Sequence, residues 1–279
     1  MKYENQILAV IVLYKQKLSE SKSFKSLSIS LKKNGFSLDL FVYDNSPSFN
    51  EDDRLVSDNW QITYYPSVVN DGVSKAYNVA ADYAVKKGKK MLLLLDQDTN
   101  FPEQTVISYL SAINKFPTEK LFAPRMLANN DKIISPCHFR FMRGSAISNI
   151  KAEINSLKDH SIINCGMCID IEAFYKNGGY NELIKLDFSD HDFIKRFRSV
   201  VTTSFVVVDL DVYHQLSTES KNSLESDTIR WDYYLDGANN MSATKPERFF
   251  LKLNATMRSV KLSLVHKNFD FLSKLLRWI

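Results

Sequence analysis

Through the first hundred residues, continuous apolar runs alternate with polar or amphipathic stretches. Ile7 to Tyr14 is unbroken and rich in β-branched residues, and Met91 to Leu95 is apolar throughout. Runs of this kind, without polar alternation, predict strands buried on both faces. Leu38 to Tyr43 and Ile62 to Tyr65 predict two more strands. A polar helix is expected from about Ser19 to Lys33, stopped by Asn34-Gly35. Another is expected over Val73 to Lys87, closed by Gly88. Its Ala76, Ala80 and Ala84 fall at i, i+4 and i+8, a small-residue face suited to lying close on a sheet. Alternating βα units with wholly apolar strands predict an α/β fold, a mostly parallel sheet covered by helices.

The second half is less regular. Ile162 to Ile171 is apolar but broken at Cys165-Gly166, Gly178-Gly179 marks a turn, and Phe205 to Val208 reads as a strand. A helix from Asp190 to Arg198 opens with acids, as the helix dipole favours. Residues 216–240 are polar and receive no element. Thr244-Lys245-Pro246-Glu247 has the spacing of a capping box with proline in the first turn, so a helix should start there and run to about His266. In the last piece, Phe269, Leu272, Leu276 and Ile279 align at helical spacing, with Lys267, Lys274 and Arg277 towards the flanks. Two readings stand for it: a basic amphipathic helix on an anionic membrane surface, or a helix packed back on the domain.

Composition narrows the class. A chain of 279 residues is one large domain or two modest ones, and 8 Gly with 7 Pro exclude collagen-like or low-complexity architecture. Three cysteines are odd in number and few, so no disulfide framework is expected. No apolar run approaches the roughly 20 residues of a membrane span and no secretory leader is recognisable, which predicts a cytoplasmic protein. The net charge of +4 is too slight to suggest nucleic acid as a partner. It is unevenly placed: residues 241–279 carry eight Lys and Arg against Glu247 and Asp270, while the preceding body is mildly acidic.

Three of the predicted strands end in or near polar clusters: Asp44-Asn45-Ser46, Asn70-Asp71-Gly72 and Asp96-Gln97-Asp98. In open α/β sheets ligands bind at the carboxyl ends of the strands, so these clusters locate one site. Asp96 and Asp98, on a segment leaving the sheet, suit a hard divalent cation such as Mg²⁺ or Mn²⁺ whose shell is completed by substrate phosphates, although a solvated acidic turn has the same pattern. Asp44 suits a nucleobase edge, or equally an Asx turn before Pro47. Asn70 to Asn78 opens a helix where Gly72 would admit a ligand close to the backbone, or where Asn70 or Asp71 simply caps. Cys165-Gly166-Met167-Cys168 with Cys137-His138 lacks the paired knuckles of a zinc site and reads as buried thiols. There is no Gly-x-Gly-x-x-Gly, Walker loop, Gly-x-Ser-x-Gly or His-Glu-x-x-His, which removes the main support for dinucleotide oxidoreductases, P-loop NTPases, α/β-hydrolases and zincin-type proteases.

In order, strand–Asp44-Asn45-Ser46, Asn70-x-Gly72-x-Ser74-x-Ala76-x-Asn78 and strand–Asp96-Gln97-Asp98 resemble the nucleotide-sugar half of the inverting family 2 glycosyltransferases with the GT-A, Rossmann-like fold. The D-Q-D-[ST] form is similar to the bacterial rhamnosyltransferase branch. Asn164 to Cys168, Gly178-Gly179-Tyr180-Asn181-Glu182 and Asp187 to Arg196 resemble that family's acceptor-half motifs, and the likeness spans roughly residues 5–216. It implies a catalytic domain over 1–216, with a nucleotide-sugar half to about residue 100 and an acceptor half over 101–216, followed by a helical, basic extension over 217–279. It implies Asp44, Asn70, Gly72, Asn78 and Asp96 for the nucleotide sugar, Asp98 and His214 for the metal, and Asp190 as general base with Asp192 and Arg196 supporting its helix. The implied reaction moves a sugar, rhamnose from dTDP-rhamnose or a hexose from a UDP-sugar, with inversion to a lipid-linked or polysaccharide acceptor in bacterial surface glycan synthesis, such as O-antigen. The tail would then meet the inner face of the cell membrane. A sugar-1-phosphate nucleotidyltransferase or a non-catalytic zinc or membrane adaptor are the other classes; the first would need a Gly-rich loop that Tyr14-Lys15-Gln16-Lys17 does not supply.

Overall fold

The computed structural model describes residues 3–47, 58–128, 131–213 and 223–279. The first half is a run of βα units: β1 (Ile7–Leu13), α1 (Lys22–Asn34), β2 (Leu38–Asp44), β3 (Trp60–Pro66), α2 (Val73–Lys86), β4 (Met91–Asp96) and α3 (Thr105–Lys115). The second half adds β5 (Leu121–Leu127), β6 (Ile133–Arg140), β7 (Arg143–Ile147), β8 (Ile154–Ser156), β9 (His160–Ser161), β10 (Cys168–Asp170), α4 (Ile171–Lys176), α5 (Ser189–Val200) and β11 (Ser204–Tyr213). Three helices close the chain: α6 (Leu224–Asn240), α7 (Lys245–His266) and α8 (Asp270–Trp278).

The strands form one sheet in the order β3-β2-β1-β4-β10-β5-β11-β8, with β6, β7 and β9 attached through β5. Pairing among β3, β2, β1 and β4 is wholly parallel, as is β5 with β11. The antiparallel β10 bridges the two halves by pairing with both β4 and β5. The apolar runs behave as their composition demands: Leu8, Val10, Leu92 and Leu94 face one core layer with the small face of α2, whereas Ile7, Ala9, Ile11 and Leu95 face the other with Leu27 and Leu31 of α1. Ala76, Ala80 and Ala84 are fully buried, which lets α2 sit close on the sheet.

The stretch 216–240, which received no element from its polar sequence, contains α6 from Leu224 onward, capped by the Ser223 hydroxyl on the Ser226 N–H. Trp231, Tyr234, Leu235 and Ala238 supply its buried face. A third core layer joins these to Leu251 and Ala255 of α7 and Phe271 and Leu275 of α8, together with Met142, Ile184 and Phe188 of the preceding part of the chain. The expected capping box at Thr244 and Glu247 is formed. The last helix thus packs back through Phe271 and Leu275, while Phe269, Leu276 and Ile279 remain exposed. No helix among the described residues is long and apolar enough to cross a membrane.

Candidate active site

The carboxyl ends of β1, β2 and β4 are tied to one another by side chains. Gln97, the residue between the two acids, accepts from the Tyr14 N–H at 2.8 Å and donates to its carbonyl at 3.3 Å, so the β4 end is fixed to the β1 end. The Lys15 N–H donates to the Ser46 hydroxyl at 2.8 Å, fixing β1 to β2. Asn45 donates to the Gly72 carbonyl at 3.3 Å and accepts from the Asp71 N–H at 3.1 Å, which attaches the start of α2. From the other side, Ser21 caps α1 and donates to the Gln97 carbonyl at 2.9 Å. Strand β4 ends at Asp96 and Gln97-Asp98 form a turn, so the two carboxylates leave a turn rather than the extended segment expected.

Asp96 is half-buried at this rim and Asp98 is exposed. Burial, reinforced by the negative charges of Asp98 and Asp190, pushes the Asp96 carboxyl up to about 7. The structure thereby brings together three carboxylates from the β4 turn and from the first turn of α5. Such a set of hard oxygen donors fits a divalent cation, whose charge offsets the mutual repulsion. Among the described residues no group of three or more His, Cys, Asp or Glu side chains is placed to hold a metal ion, so these carboxylates would supply only part of its shell. His214, the other expected ligand, lies outside the described residues. The strand leading to it ends at Tyr213, which bridges Asn100 just beyond the acidic turn.

Asp44 is buried at the end of β2, where Oδ1 accepts from the Ser46 N–H at 2.8 Å and Oδ2 from the Tyr64 hydroxyl. The Asx turn weighed for it is therefore present. Asp71, weighed only as a helix cap, is held more firmly: burial pushes its carboxyl up, but hydrogen bonds from Ser67, Lys75 and Tyr43 outweigh this and hold it below the ordinary carboxylate range. Asn70 accepts from the Gly72 N–H at 3.1 Å and reaches the Tyr233 hydroxyl of α6 at 3.5 Å.

One expectation for the α2 segment, its capping by Asn70 or Asp71, is corrected. Gly72 has φ +85° and lies against Lys185; a Cβ there would stand 2.5 Å from the Lys185 carbonyl oxygen. The side of Gly72 that a Cβ would occupy is thus filled by this chain, and the Val73 N–H donates to that carbonyl at 2.9 Å. Helix α2 has Gly72 at its N-cap and no side-chain cap, so Asn70 and Asp71 do not cap it. Asn78 is likewise occupied: it donates to the Tyr180 carbonyl at 3.0 Å and to Glu182 at 2.9 Å, and accepts from the Tyr180 N–H at 2.8 Å. Its amide clamps the turn after Gly179 onto α2.

On the acceptor side, Asp190 receives the His191 N–H at 2.7 Å, and His191 Nδ1 lies 2.7 Å from the Ser161 hydroxyl. Asp192 is fully buried, with Arg196 Nε at 2.8 Å and the Ser242 N–H at 2.9 Å. These two residues pin α5 to the turn before α7. Gly237 lets α6 press on the approach to α5, since a Cβ would stand 2.3 Å from the Asp187 carbonyl oxygen. The sequence reading missed two aromatic residues. Tyr180 donates to Asn164 at 2.7 Å, and Tyr77 is fully buried with a hydroxyl that finds no partner among the described residues. Both feel the charges of Asp96 and Asp190. In sequence they look like core aromatics, and only the docking of the turn after Gly179 onto α2, which sets their rings 5.1 Å apart, reveals their place. The three cysteines are free and buried, and burial raises their thiols, Cys137 to about 12, so no thiolate is available.

No family model matches the chain. A curated relative, the dTDP-rhamnosyl transferase RfbF of Shigella flexneri, is 23% identical over 217 residues, covering 77% of this chain and 71% of that protein. S. aureus TarS 1–349 in complex with UDP superposes with a TM-score of 0.56 at 16% identity, over 89% of this chain and 70% of that one. Its complex with UDP-GlcNAc gives 0.55 at 14% identity, over 89% and 71%. GalNAc-T7 with UDP, GalNAc and Mn²⁺ gives 0.57 at 14% identity, over 88% of this chain and 53% of that one. With the parallel first half of the sheet and the bridging antiparallel strand, these likenesses show that the chain has the fold of the GT-A glycosyltransferases.

Proposed function

We propose that the protein is a metal-dependent inverting glycosyltransferase that moves rhamnose from dTDP-rhamnose to a hydroxyl of a lipid-linked glycan. The observation that carries this reading is the convergence of Asp96, Asp98 and Asp190, from the end of β4 and the start of α5, on one rim of the sheet. The activity named for the Shigella relative supports the donor. The UDP complexes of the structural neighbours favour a second reading, in which the donor is a UDP-sugar.

In this reading Asp98, with Asp96 beside it, holds the cation, and Mg²⁺ or Mn²⁺ bound there supplies Lewis-acid stabilisation of the departing nucleoside diphosphate. The Asp44 end of β2 and the Asn70 loop border the nucleoside. Asp190 takes the proton of the acceptor hydroxyl as the new bond to the anomeric carbon forms and the bond to the diphosphate oxygen breaks on the opposite face. The Asp192–Arg196 pair positions the helix that carries Asp190. The test is calorimetric titration of dTDP and UDP with and without Mn²⁺, followed by release of free nucleoside diphosphate from a panel of donors. Metal-dependent binding of one nucleotide is expected, and Asp190→Asn should keep that binding while losing transfer. Absence of metal-dependent binding for both nucleotides refutes the reading, and normal transfer by Asp190→Asn refutes the base assignment.

A further inference from the structure

Helix α7 is turned inside out with respect to an ordinary surface helix. Its buried positions are Leu251, Ala255, Ser259 and Ser263, mostly small and partly polar. Its outward positions are large and apolar: Phe249, Leu253, Met257, Val260 and Leu264, exposed by 43 to 74%. At 100° per residue these five fall within about 80° of the helix circumference and extend for about 22 Å along its axis. Phe141, at the tip between β6 and β7, continues the face: it is 67% exposed and its ring lies 4.9 Å from that of Phe250, with its carbonyl held by Asn254 at 2.8 Å.

Charge identifies what this face meets. The basic residues of α7 and α8 divide into two groups. Arg248 is spent on the carbonyls of Ala238, Asn239 and Met241, Arg258 on Asp187 and the Tyr234 ring, and Lys274 on Asp232. Lys252 donates to the Ile279 carbonyl at 3.1 Å. Lys245 and Lys261 are exposed and flank the apolar stripe on opposite sides, with Lys267 and Arg277 exposed beyond it. Among the described residues no carboxylate pairs with any of these four. The acid of α7 itself, Glu247, is turned to Lys195. A second copy docking through the same stripe would set lysine against lysine. An anionic bilayer offers apolar depth to the stripe and negative headgroups to its flanks.

We infer that the outward stripe of α7, with Phe141 at its edge, is the surface by which this protein lies on an anionic lipid bilayer. The terminal helix contributes only its exposed rim, since Phe271 and Leu275 face the domain. The inference is independent of the sugar chemistry and is tested without donor or acceptor. Full-length protein is floated with phosphatidylcholine vesicles that do or do not contain phosphatidylglycerol, at low and high salt, and its mass in solution is measured by light scattering. Binding to the anionic vesicles alone, weakened by salt, is expected. The exposed-site variant Leu253→Gln/Met257→Gln/Leu264→Gln should bind at least about tenfold more weakly while melting like the wild type. A second variant, Lys245→Glu/Lys261→Glu, should lose binding with the stripe intact. The inference is overturned if wild-type protein ignores anionic vesicles, if the glutamine variant binds as well as wild type, or if the protein is a dimer that this variant converts to monomer.

Discussion

Asp192 has no exposed surface, yet it carries a charge one helical turn from Arg196 and only two residues from Asp190. Replacing it by alanine removes the acceptor of Arg196 Nε at 2.8 Å and of the Ser242 N–H at 2.9 Å. Arg196 keeps its bond to the Asn177 carbonyl at 2.7 Å and its place over the Phe193 ring, so the guanidinium stays where it is without its counter-ion. Breaking one side of a buried ion pair costs about 3–5 kcal/mol. The Arg196 side chain is 24% exposed, so water takes up part of the charge and the lower end, about 3–4 kcal/mol, applies. At roughly 2–4 °C per kcal/mol for a chain of this size, Asp192→Ala should melt roughly 6–16 °C below wild type. Urea unfolding followed by far-ultraviolet circular dichroism measures the free energy directly. Adding Arg196→Met should restore part of the loss, because the unpaired charge is then gone. A loss below about 1 kcal/mol for Asp192→Ala, or a double variant less stable than the sum of the singles, would refute the role given to this pair.

Four further outcomes follow from the same geometry. Gly72→Ala forces a Cβ against the Lys185 backbone at a φ only glycine adopts easily, so it should cost at least about 2 kcal/mol and weaken nucleotide binding, read by melting and by titration with dTDP. Asp98→Asn removes one of the charges that raise Asp96, so the Asp96 carboxyl, followed by NMR, should titrate below about 7; an unchanged or higher midpoint contradicts the cluster. Because its folded value lies above its unfolded one, Asp96 makes the cation-free protein lose stability as pH rises from about 4 to about 7, and added Mn²⁺ should raise the melting temperature more at pH 7.5 than at pH 5. For Asp71 the sign is opposite: its folded value is depressed, so its stabilisation is complete above the unfolded value and fades as pH falls through the folded one. Asp71→Asn should therefore flatten the acid limb of the stability profile, measured by urea unfolding between pH 3 and 6.

The strand ends were legible because two independent patterns coincide there: a run apolar on both faces, then an abrupt acid. Asp44, Asp96 and Asp98 all sit at such junctions, and Asp190 opens a helix whose acids the sequence already displayed. The Asn70–Asn78 stretch was legible as a helix start, but not what packs against it. Gly72 and Asn78 are matched to Lys185 and to the Gly179–Glu182 turn, more than a hundred residues away. One-dimensional spacing shows that room is made and does not show that the chain itself returns to take it. Helix α6 escaped for another reason: its buried residues begin only at Trp231, after two polar turns, so its periodicity is confined to its second half.

The acidic rim and the bonding around it have to be considered together. Burial pushes the Asp96 carboxyl up to about 7, the charges of Asp98 and Asp190 add to the rise, and that repulsion is one an unrestrained loop would relieve by moving apart. Here the loop is restrained at every point. Gln97 is bonded to both backbone groups of Tyr14, its own carbonyl takes the Ser21 hydroxyl and the Lys22 N–H, and Asn100 bridges Tyr213. Asp190 cannot swing away either, since α5 is pinned by Asp192 and Arg196 and its approach is pressed by α6 at Gly237. The repulsion is thus held in place by neutral hydrogen bonds and packing that do not depend on the occupant of the rim. In the proposed reading a cation with a diphosphate would meet charges already placed and repelling one another, and its binding would be favoured by the release of that repulsion rather than opposed by the cost of assembling the site. The middle residue of Asp96-Gln97-Asp98 is accordingly as consequential as the two acids. Gln97→Ala should leave every carboxylate in place in the sequence, yet let the turn open, lowering the Asp96 midpoint and weakening Mn²⁺-dependent nucleotide binding together. A variant that loses nucleotide binding while Asp96 still titrates near 7 would separate the two effects and refute the coupling.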